Sequence, residues 1–342
     1  MTDTAVLPNS EESKKIASGL DLKSEINRLR REKNAIILAH YYQDYEIQDI
    51  ADFVGDSLDL SRKAAETDAD VIVFCGVRFM AEVAKIVNPG RTVLLPDAAA
   101  GCSLEDACQP QEFKAWRDAH PDHISLTYIN CSAAVKALSD IIVTSSNAEA
   151  IINQLPKDQP ILFAPDRHLG NFLNKKTDRE MVLWPGSCIV HEEFSEDLLL
   201  QLKAEHKQAR VVAHPECPDT IIDLADYVGS TKGILNFVAN DPATSFIIAT
   251  EPHIIHQMRK SNPEKTFIAA PGVSEARDIG ACPCTNCPYM AMNTMEKLYL
   301  TMLNNGPRIE MNEDLRLRAL KPIARMLEMS PKTPSAASQA AQ

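Results

Sequence analysis

The sequence lacks both a long apolar run and an excess of positive charge. Nowhere in its 342 residues do apolar side chains follow one another for the ~20 positions that a membrane-spanning helix needs. The longest apolar stretches, such as Val71–Cys75, have the length of buried strands. The formal net charge is -12, whereas a nucleic acid or an anionic membrane requires a basic face on its partner. We therefore expect neither a nucleic acid nor a membrane as a partner.

We expect no secretory signal, because the segment from Met1 to Ser18 has no basic start followed by an apolar core. We expect a cytoplasmic protein in which residues 1–22 form a flexible arm. Residues 331–342, rich in Ala, Ser, Gln and Pro, are expected to form a disordered tail. In a reducing compartment the nine cysteines are core residues, metal ligands or catalytic groups, and not a disulfide framework.

Several widespread catalytic motifs are absent as well. The chain has no GxGxxG dinucleotide fingerprint, no GxxxxGK[S/T] phosphate loop and no GxSxG nucleophile elbow. His191 is followed by two glutamates but by no histidine four positions later, so the HExxH zinc motif is missing too. The function must therefore be sought in a larger pattern.

That pattern is a repeat with a period near 87 residues. The segment AHYYQDYEIQDIADFVGDS, which begins at Ala39, aligns without a gap with AHPECPDTIIDLADYVGST, which begins at Ala213, and eight of nineteen positions are identical. A middle copy is expected halfway between them. There, TYINCSAAVKALSDIIVTS from Thr127 has only two identities to the first copy but keeps the order strand, polar cluster, helix and strand. A fixed period of this kind indicates duplicated units.

Each copy predicts the same α/β unit. The buried-strand runs VIVFCGV, PILFAP and SFIIAT occupy equivalent places, and each precedes a further strand with an aligned proline, at Pro96, Pro185 and Pro271. The alternation of strands and helices predicts three pseudo-threefold-related repeats, each a parallel β-sheet flanked by helices in a three-layer α/β/α sandwich. The expected repeats are residues 23–108, 109–195 and 196–330, the last including the C-terminal helices. The site is expected at the central interface between them.

Polar residues recur directly after the strands, where parallel sheets bind ligands. Serine or threonine before a helix is usually an N-cap, although a helix N-terminus with a hydroxyl also binds carboxylate or phosphate. Recurrence at the same points in all three copies favours a shared site. The equivalent sets are His40, Tyr128 and His214, then Tyr42, Asn130 and Glu216, and then Ser57, Ser145 and Thr231.

Each unit also carries cysteine after its aligned proline. Cys102 and Cys188 are one period apart, and the third unit offers Cys282, Cys284 and Cys287. Around a pseudo-threefold axis one cysteine per unit would converge, and three thiolates indicate a metal centre. A structural zinc site normally has four ligands, so three cysteines suit a [4Fe–4S] cluster with one open iron, a Lewis acid able to assist dehydration. The remaining cysteines are expected to be structural: Cys75, Cys108, Cys131 and Cys217.

A series of short motifs is spread over about residues 35 to 300. In order these are AHYYQ (His40, Tyr42), DFVGDS (Ser57), VFCGVRFMAE, the Cys102 loop, YIN (Tyr128, Asn130), TSSNA (Ser145), CxxH (Cys188, His191), HPEC (His214, Glu216), GST (Thr231) and CPYMAMN (Cys287). Each motif is weak alone, but the ordered set closely resembles the quinolinate synthase family.

The resemblance implies three α/β domains around a [4Fe–4S] cluster held by Cys102, Cys188 and Cys287. It implies condensation of iminosuccinate (iminoaspartate) with dihydroxyacetone phosphate to quinolinate, phosphate and two waters in de novo NAD biosynthesis, with a functional link to L-aspartate oxidase. The expected catalytic residues are Glu216 and His214, as general base and acid, with Tyr42 and His191 steering or protonating intermediates. The expected substrate-binding residues are His40, Ser57, Tyr128, Ile129, Asn130, Ser145, His214, Pro215, Glu216 and Thr231.

Some alternatives stay open at this point. The chain has CPCTNC where close relatives show CxxCxxC, so Cys284 is an alternative third ligand and no disulfide is assigned between Cys282 and Cys284. Another iron–sulfur hydro-lyase acting on a small organic acid would use the same scaffold. A metal or redox sensor is the alternative from a different class, but a sensor does not require a ring of substrate donors.

Overall fold

Strands and helices alternate along the chain in the computed structural model, which describes residues 4–7, 16, 19–273 and 285–330. The strands are β1 (Thr4–Leu7), β2 (Ala35–His40), β3 (Phe53–Gly55), β4 (Val71–Cys75), β5 (Thr92–Leu94), β6 (Ile124–Tyr128), β7 (Ile141–Val143), β8 (Ile161–Ala164), β9 (Val182–Leu183), β10 (Arg210–Ala213), β11 (Tyr227–Val228), β12 (Ser245–Ala249), β13 (Thr266–Ala269) and β14 (Arg308–Met311).

The helices connect these strands, and short 3-10 turns lie at His191–Glu193 and Met290–Met292. The helices are α1 (Leu22–Glu32), α2 (Tyr45–Ile50), α3 (Ser57–Glu66), α4 (Arg78–Val87), α5 (Ser103–Asp106), α6 (Pro110–Asp118), α7 (Ala133–Lys136), α8 (Ala148–Ile152), α9 (Arg167–Thr177), α10 (Glu196–Glu205), α11 (Asp219–Ile222), α12 (Thr231–Asn240), α13 (Ile254–Ser261), α14 (Met295–Asn304) and α15 (Glu313–Met329). In the part of the chain just described, none of them is long and apolar enough to cross a membrane.

Three parallel sheets share one strand order. They read β3-β2-β4-β5, β7-β6-β8-β9 and β11-β10-β12-β13. The register is shared as well, since Ala39 pairs with Val54, Thr127 with Ile142 and Ala213 with Val228, which are equivalent positions of the repeat. The predicted fold of three parallel α/β repeats is therefore confirmed, including the middle copy that few identities supported.

Apolar strands and capped helices explain why each unit folds in this way. The central strands β4, β8 and β12 are almost wholly buried, because helices cover both faces of a parallel sheet. Short polar side chains cap one helix in each unit: Asp56 caps α3, Asp166 caps α9 and Ser230 caps α12. The core is continuous from the first unit into the second, and the third unit packs around clusters of its own.

The C-terminal elements pack on the first and second units, although chain order places them with the third repeat. Strand β14 joins the first sheet antiparallel to β5, and α14 packs against α1 through Leu298 and Met302. Helix α15 lies against α4, α7 and β7. Its side chains Leu315, Ala319 and Ile323 enter the core that the first two units share.

One stretch of the expected N-terminal arm is a strand. Thr4–Leu7 forms β1, which pairs antiparallel with β14 from Thr4 opposite Met311 to Leu7 opposite Arg308. Without it, β14 would present an unpaired strand edge, and pairing satisfies those backbone groups. The expected tail, residues 331–342, lies outside the described residues.

Candidate active site

The carboxyl ends of the three parallel sheets face a common cavity. Polar and sulfur-bearing side chains from all three repeats form its wall: His40, Tyr42, Asp56, Ser57, Cys102, Tyr128, Asn130, Thr144, Ser145, Cys188, His191, His214, Glu216, Thr231, Glu251 and Cys287. The structure thus brings together every expected site residue except Ile129 and Pro215.

Ile129 and Pro215 lie beside the wall in the chain without forming part of it. The Ile129 side chain packs into the core, its N–H donates to the Val143 carbonyl at 2.8 Å, and its carbonyl accepts from Lys136 Nζ at 2.9 Å. Pro215 is buried between His214 and Glu216. Both residues lie in the bends that follow β6 and β10, and neither lines the cavity.

In the first and third repeats, a histidine at the end of the first strand accepts a hydrogen bond from the backbone N–H two residues later. The Tyr42 N–H donates to His40 Nδ1 at 3.2 Å, and the Glu216 N–H donates to His214 Nδ1 at 3.4 Å. Because Nδ1 accepts in both rings, the neutral imidazoles carry their proton on Nε2. Burial lowers the pKa of His40 to about 3 and that of His214 to about 4. Both rings are therefore neutral N–H donors at pH 7, and Nε2 of His214 lies 3.3 Å from Ser145 Oγ.

Glu216 is a buried carboxylate held by two donors. Tyr128 donates its hydroxyl to Oε1 at 2.5 Å, and His191 Nδ1 lies 3.0 Å from Oε2. Burial by itself raises the pKa of Glu216, but the imidazoles of His214 and His191 and the hydrogen bonds from His191 and Tyr128 outweigh it and hold the pKa below its usual range. The group is an ionised base in a nearly closed site.

Tyr42 is held between two threonines of the third repeat. Its hydroxyl lies 2.7 Å from Thr250 Oγ1 and 3.2 Å from Thr231 Oγ1. Thr250 Oγ1 in turn lies 3.0 Å from His191 Nε2. Burial raises the pKa of Tyr42 well above its ordinary value, with the charge of Glu216 adding to the shift. The phenol is therefore a proton donor and not a base at neutral pH.

Thr250 and Glu251 are site residues that the sequence analysis missed. Glu251 is 1% exposed, receives His253 Nδ1 at 2.7 Å and accepts from the Cys287 N–H at 3.3 Å. Burial raises its pKa. Both residues directly follow strand β12, so the rule that led to His40 and His214, polar residues after a buried strand, would have found them.

The hydroxyls of Ser57 and Thr231 are not the caps of their helices. Asp56 accepts the Asp59 N–H at 2.9 Å, and Ser230 accepts the Gly233 N–H at 3.1 Å. The capping role, the ordinary one for such residues, therefore falls to their neighbours. Ser57 and Thr231 are the first residues of α3 and α12, and their side chains line the cavity. Two helix N-termini consequently face the cavity, an arrangement that favours anions.

The three cysteines stand in equivalent positions. Each directly or closely precedes a short helical turn, at Ser103–Asp106, His191–Glu193 or Met290–Met292. In each case the sulfur receives a backbone N–H from the residue three positions later, which is Glu105, His191 or Met290. Such hydrogen bonds stabilise thiolates and tune sulfur ligands of metals.

The thiols are close enough to affect one another. Burial raises the pKa of Cys287 to about 11, and it also raises the pKa values of Cys102 and Cys188. The charge of Cys287 contributes to the shifts of both other thiols, and the charge of Cys102 to that of Cys188. A bound metal cation would stabilise the three thiolates, because its positive charge balances their negative charges. The donor set fits a metal group.

Cys188 has two further candidate ligands near it. One ligand atom each from Cys188, His191 and Glu216 lie within 4.8 Å of one another. Cys282 and Cys284 lie outside the described residues, so the choice between Cys284 and Cys287 rests on Cys287 lining the cavity. The other cysteines are confirmed as core residues, fully buried at 0% exposure: Cys75, Cys108, Cys131 and Cys217.

The fold and this site define a class: an α/β enzyme of three repeats whose central polar cavity is lined by three cysteines. The family of quinolinate synthetase A proteins matches residues 24–328. Quinolinate synthase of Nostoc sp. is 57% identical over 311 residues, 91% of this chain and 94% of that protein. Quinolinate synthase of Thermosynechococcus vestitus is 58% identical over 311 residues, 91% of this chain and 96% of that protein. The chain belongs to the quinolinate synthetase A family.

Proposed function

We propose that this chain condenses iminosuccinate with dihydroxyacetone phosphate, releasing quinolinate, phosphate and two waters. One observation carries the proposal: a single cavity unites an ionised Glu216, neutral donor groups and three cysteines. A diacid and a phosphate ester need fixed donors, and proton removal next to a carbonyl needs a base. Family membership and the relatives' name, quinolinate synthase, support quinolinate as the product.

The cofactor that we propose is a [4Fe–4S] cluster held by Cys102, Cys188 and Cys287. Three protein ligands would leave one iron open, and when bound the cluster supplies a Lewis acid that polarises a substrate oxygen or nitrogen. The backbone N–H groups that point at the three sulfurs support the thiolate form that ligation requires. His191, 3.2 Å from Cys188 Sγ through Nδ1, lies beside the centre.

Anion binding is the role that we propose for the neutral donors. The Nε2–H groups of His40 and His214 and the hydroxyls of Ser57, Ser145 and Thr231 suit the two carboxylates and the phosphate. The N-termini of α3 and α12 add partial positive charge where Ser57 and Thr231 lie. The charge of the whole chain, -12, repels anions, so capture depends on these local groups.

Proton transfer is the role that we propose for the Glu216 network. Ionised Glu216 is the candidate base for the carbon acid, and His214 is the candidate acid beside it, through the Nε2–H of its neutral ring. Tyr128 and Tyr42 keep their protons because burial raises both pKa values, so they can donate to a departing hydroxyl. The dehydration steps need such donors in a cavity from which bulk water is excluded.

The cellular setting follows from the chemistry of the proposed substrates and thiols. Free cysteines next to a metal centre are expected in a reducing compartment, here the cytoplasm. Iminosuccinate is an imine that hydrolyses in water, so an oxidase such as L-aspartate oxidase must produce it shortly before this enzyme uses it. We propose a functional link to that enzyme.

The test combines metal analysis with an assay under anaerobic conditions. We expect a brown protein with about four irons per chain that forms quinolinate from iminosuccinate and dihydroxyacetone phosphate. Cys102→Ser is expected to lose both iron and activity, and the core variant Cys75→Ser should retain iron. Stoichiometric zinc without iron would contradict the cofactor. An iron-loaded sample that yields no quinolinate would contradict the reaction and favour another hydro-lyase or a sensor.

A further inference from the structure

We propose that Thr250 is a positioning residue that orients Tyr42 and His191 for the reaction. The inference rests on the proposed function. Its hydroxyl oxygen lies 2.7 Å from the Tyr42 hydroxyl and 3.0 Å from His191 Nε2, and the residue is 1% exposed. Thr250 is not part of the cavity wall, whereas both of its partners are. It therefore acts through them and not on a substrate.

The four side chains form one continuous series of hydrogen-bond contacts. The ionised Glu216 can only accept, so His191 Nδ1, 3.0 Å away, carries a proton. On the other side of the ring, Nε2 lies 3.0 Å from the Thr250 hydroxyl, its hydrogen-bond partner among the described residues. The same hydroxyl lies 2.7 Å from the Tyr42 hydroxyl. Thr250 therefore connects Tyr42 to the His191 and Glu216 pair.

The repeat shows that this hydroxyl is specific to the third unit. Ala39 pairs with Cys75, Thr127 with Ala164 and Ala213 with Ala249, so the ends of β4, β8 and β12 are equivalent. The residues that follow are Gly76, Pro165 and Thr250. Glycine and proline have no polar side-chain atom and cannot form a side-chain hydrogen bond. Of these three equivalent positions, that of the third unit carries a hydroxyl, which contacts both Tyr42 and His191.

Loss of the hydroxyl would free both partners. Tyr42 would keep the contact with Thr231, at 3.2 Å, and His191 Nε2 would lose its hydrogen-bond partner in a ring that is 2% exposed. A buried polar atom without a partner is unfavourable, so the imidazole is expected to turn. Misplacement of a reacting group by about 1 Å lowers turnover by about a hundredfold. Substrate capture by the donors of α3 and α12 does not involve Thr250.

The experiment compares three variants of the metal-loaded enzyme. Thr250→Val keeps the shape and removes the hydroxyl, and Thr250→Ser keeps the hydroxyl. Thr301→Val is the matched control, because Thr301 is 2% exposed and donates to the Pro96 carbonyl away from the cavity. For Thr250→Val we expect kcat to fall about tenfold to a hundredfold, with KM and iron content close to wild type. Thr250→Ser and the control should both keep most of the wild-type kcat.

Crystal structures of the same variants give a readout that does not depend on turnover. We expect the Tyr42 and His191 rings to shift in Thr250→Val and to stay in place in Thr250→Ser. Unshifted rings in the valine variant, or an unchanged kcat, would overturn the inference. A serine variant as slow as the valine variant would do so too. If the wild-type enzyme makes no quinolinate, the proposed function fails, while the ring positions still decide the role of Thr250.

Discussion

Burial and hydrogen bonding act in opposite directions on Glu216. A carboxylate that is 4% exposed would be protonated without partners, because burial disfavours the charged form. The hydroxyl of Tyr128 and the ring of His191 reverse that preference through short contacts. The same cavity lowers the pKa values of His40 and His214, so the site holds an ionised base among neutral donors.

Glu216→Gln is expected to lower kcat by about 10²–10⁴, the usual contribution of a general base. The amide keeps the shape of the side chain but cannot take a proton. The measurement is the steady-state rate of quinolinate formation, with iron content determined on the same sample. The control is Glu193→Gln, because Glu193 is an exposed neighbour of His191 that does not line the cavity. Near wild-type kcat in Glu216→Gln would remove the residue from the mechanism.

At the scale of elements, helices α3 and α12 each divide two tasks between adjacent residues. Asp56 and Ser230 satisfy the helix backbone, and Ser57 and Thr231 face the cavity. The two helices are also tied together, since Lys232 Nζ lies 2.8 Å from Asp59. The anion-binding ends of two repeats are thus held next to each other.

Because Ser230 caps α12 and Thr231 faces the cavity, substitutions of these neighbours should affect stability and KM differently. Ser230→Ala is expected to lower the free energy of unfolding by about 1 kcal/mol, because it leaves a helix N–H without its cap, and to leave KM nearly unchanged. Thr231→Val should cost less stability and raise KM. Urea unfolding and steady-state kinetics measure the two effects. A larger stability loss in Thr231→Val with an unchanged KM would contradict the assignment.

At the scale of the whole molecule, α15 joins the first two repeats. Ile323 enters their common core, Arg316 donates to the Ile86 carbonyl of α4 at 2.9 Å, and Asn147 donates to Ser330 just past the helix at 2.8 Å. The helix therefore fixes the geometry of two of the three walls of the cavity from a distance.

Ile323→Ala is expected to lower the free energy of unfolding by ~2–5 kcal/mol, because it opens a gap in a core that two repeats share. The residue is 0% exposed. Leu317→Ala on the same helix, where the side chain is 47% exposed, should change stability by less than about 0.5 kcal/mol. Denaturant titration measures both. Equal effects of the two variants would show that α15 does not contribute through this contact.

Local pattern was enough to predict the three repeats, the parallel sheets and most of the cavity wall. Buried strands need runs of apolar residues, and ligands bind where such strands end, so the sequence marks both features at fixed positions. The cysteine spacing followed the same period. The choice of Cys287 over Cys284, the roles of the individual residues and the cluster stay predictions.

Only the tertiary structure decided which neighbour caps a helix and which faces the cavity, because Asp56 and Ser57, like Ser230 and Thr231, are equally plausible caps by residue type. It also placed β1, β14 and α15 on the first two units, contacts between residues far apart in sequence that no short pattern encodes. The three-residue link of Tyr42, Thr250 and His191 has the same origin. The period of the sequence was enough to predict three similar units. Packing between the units decided how their different side chains combine in one asymmetric site.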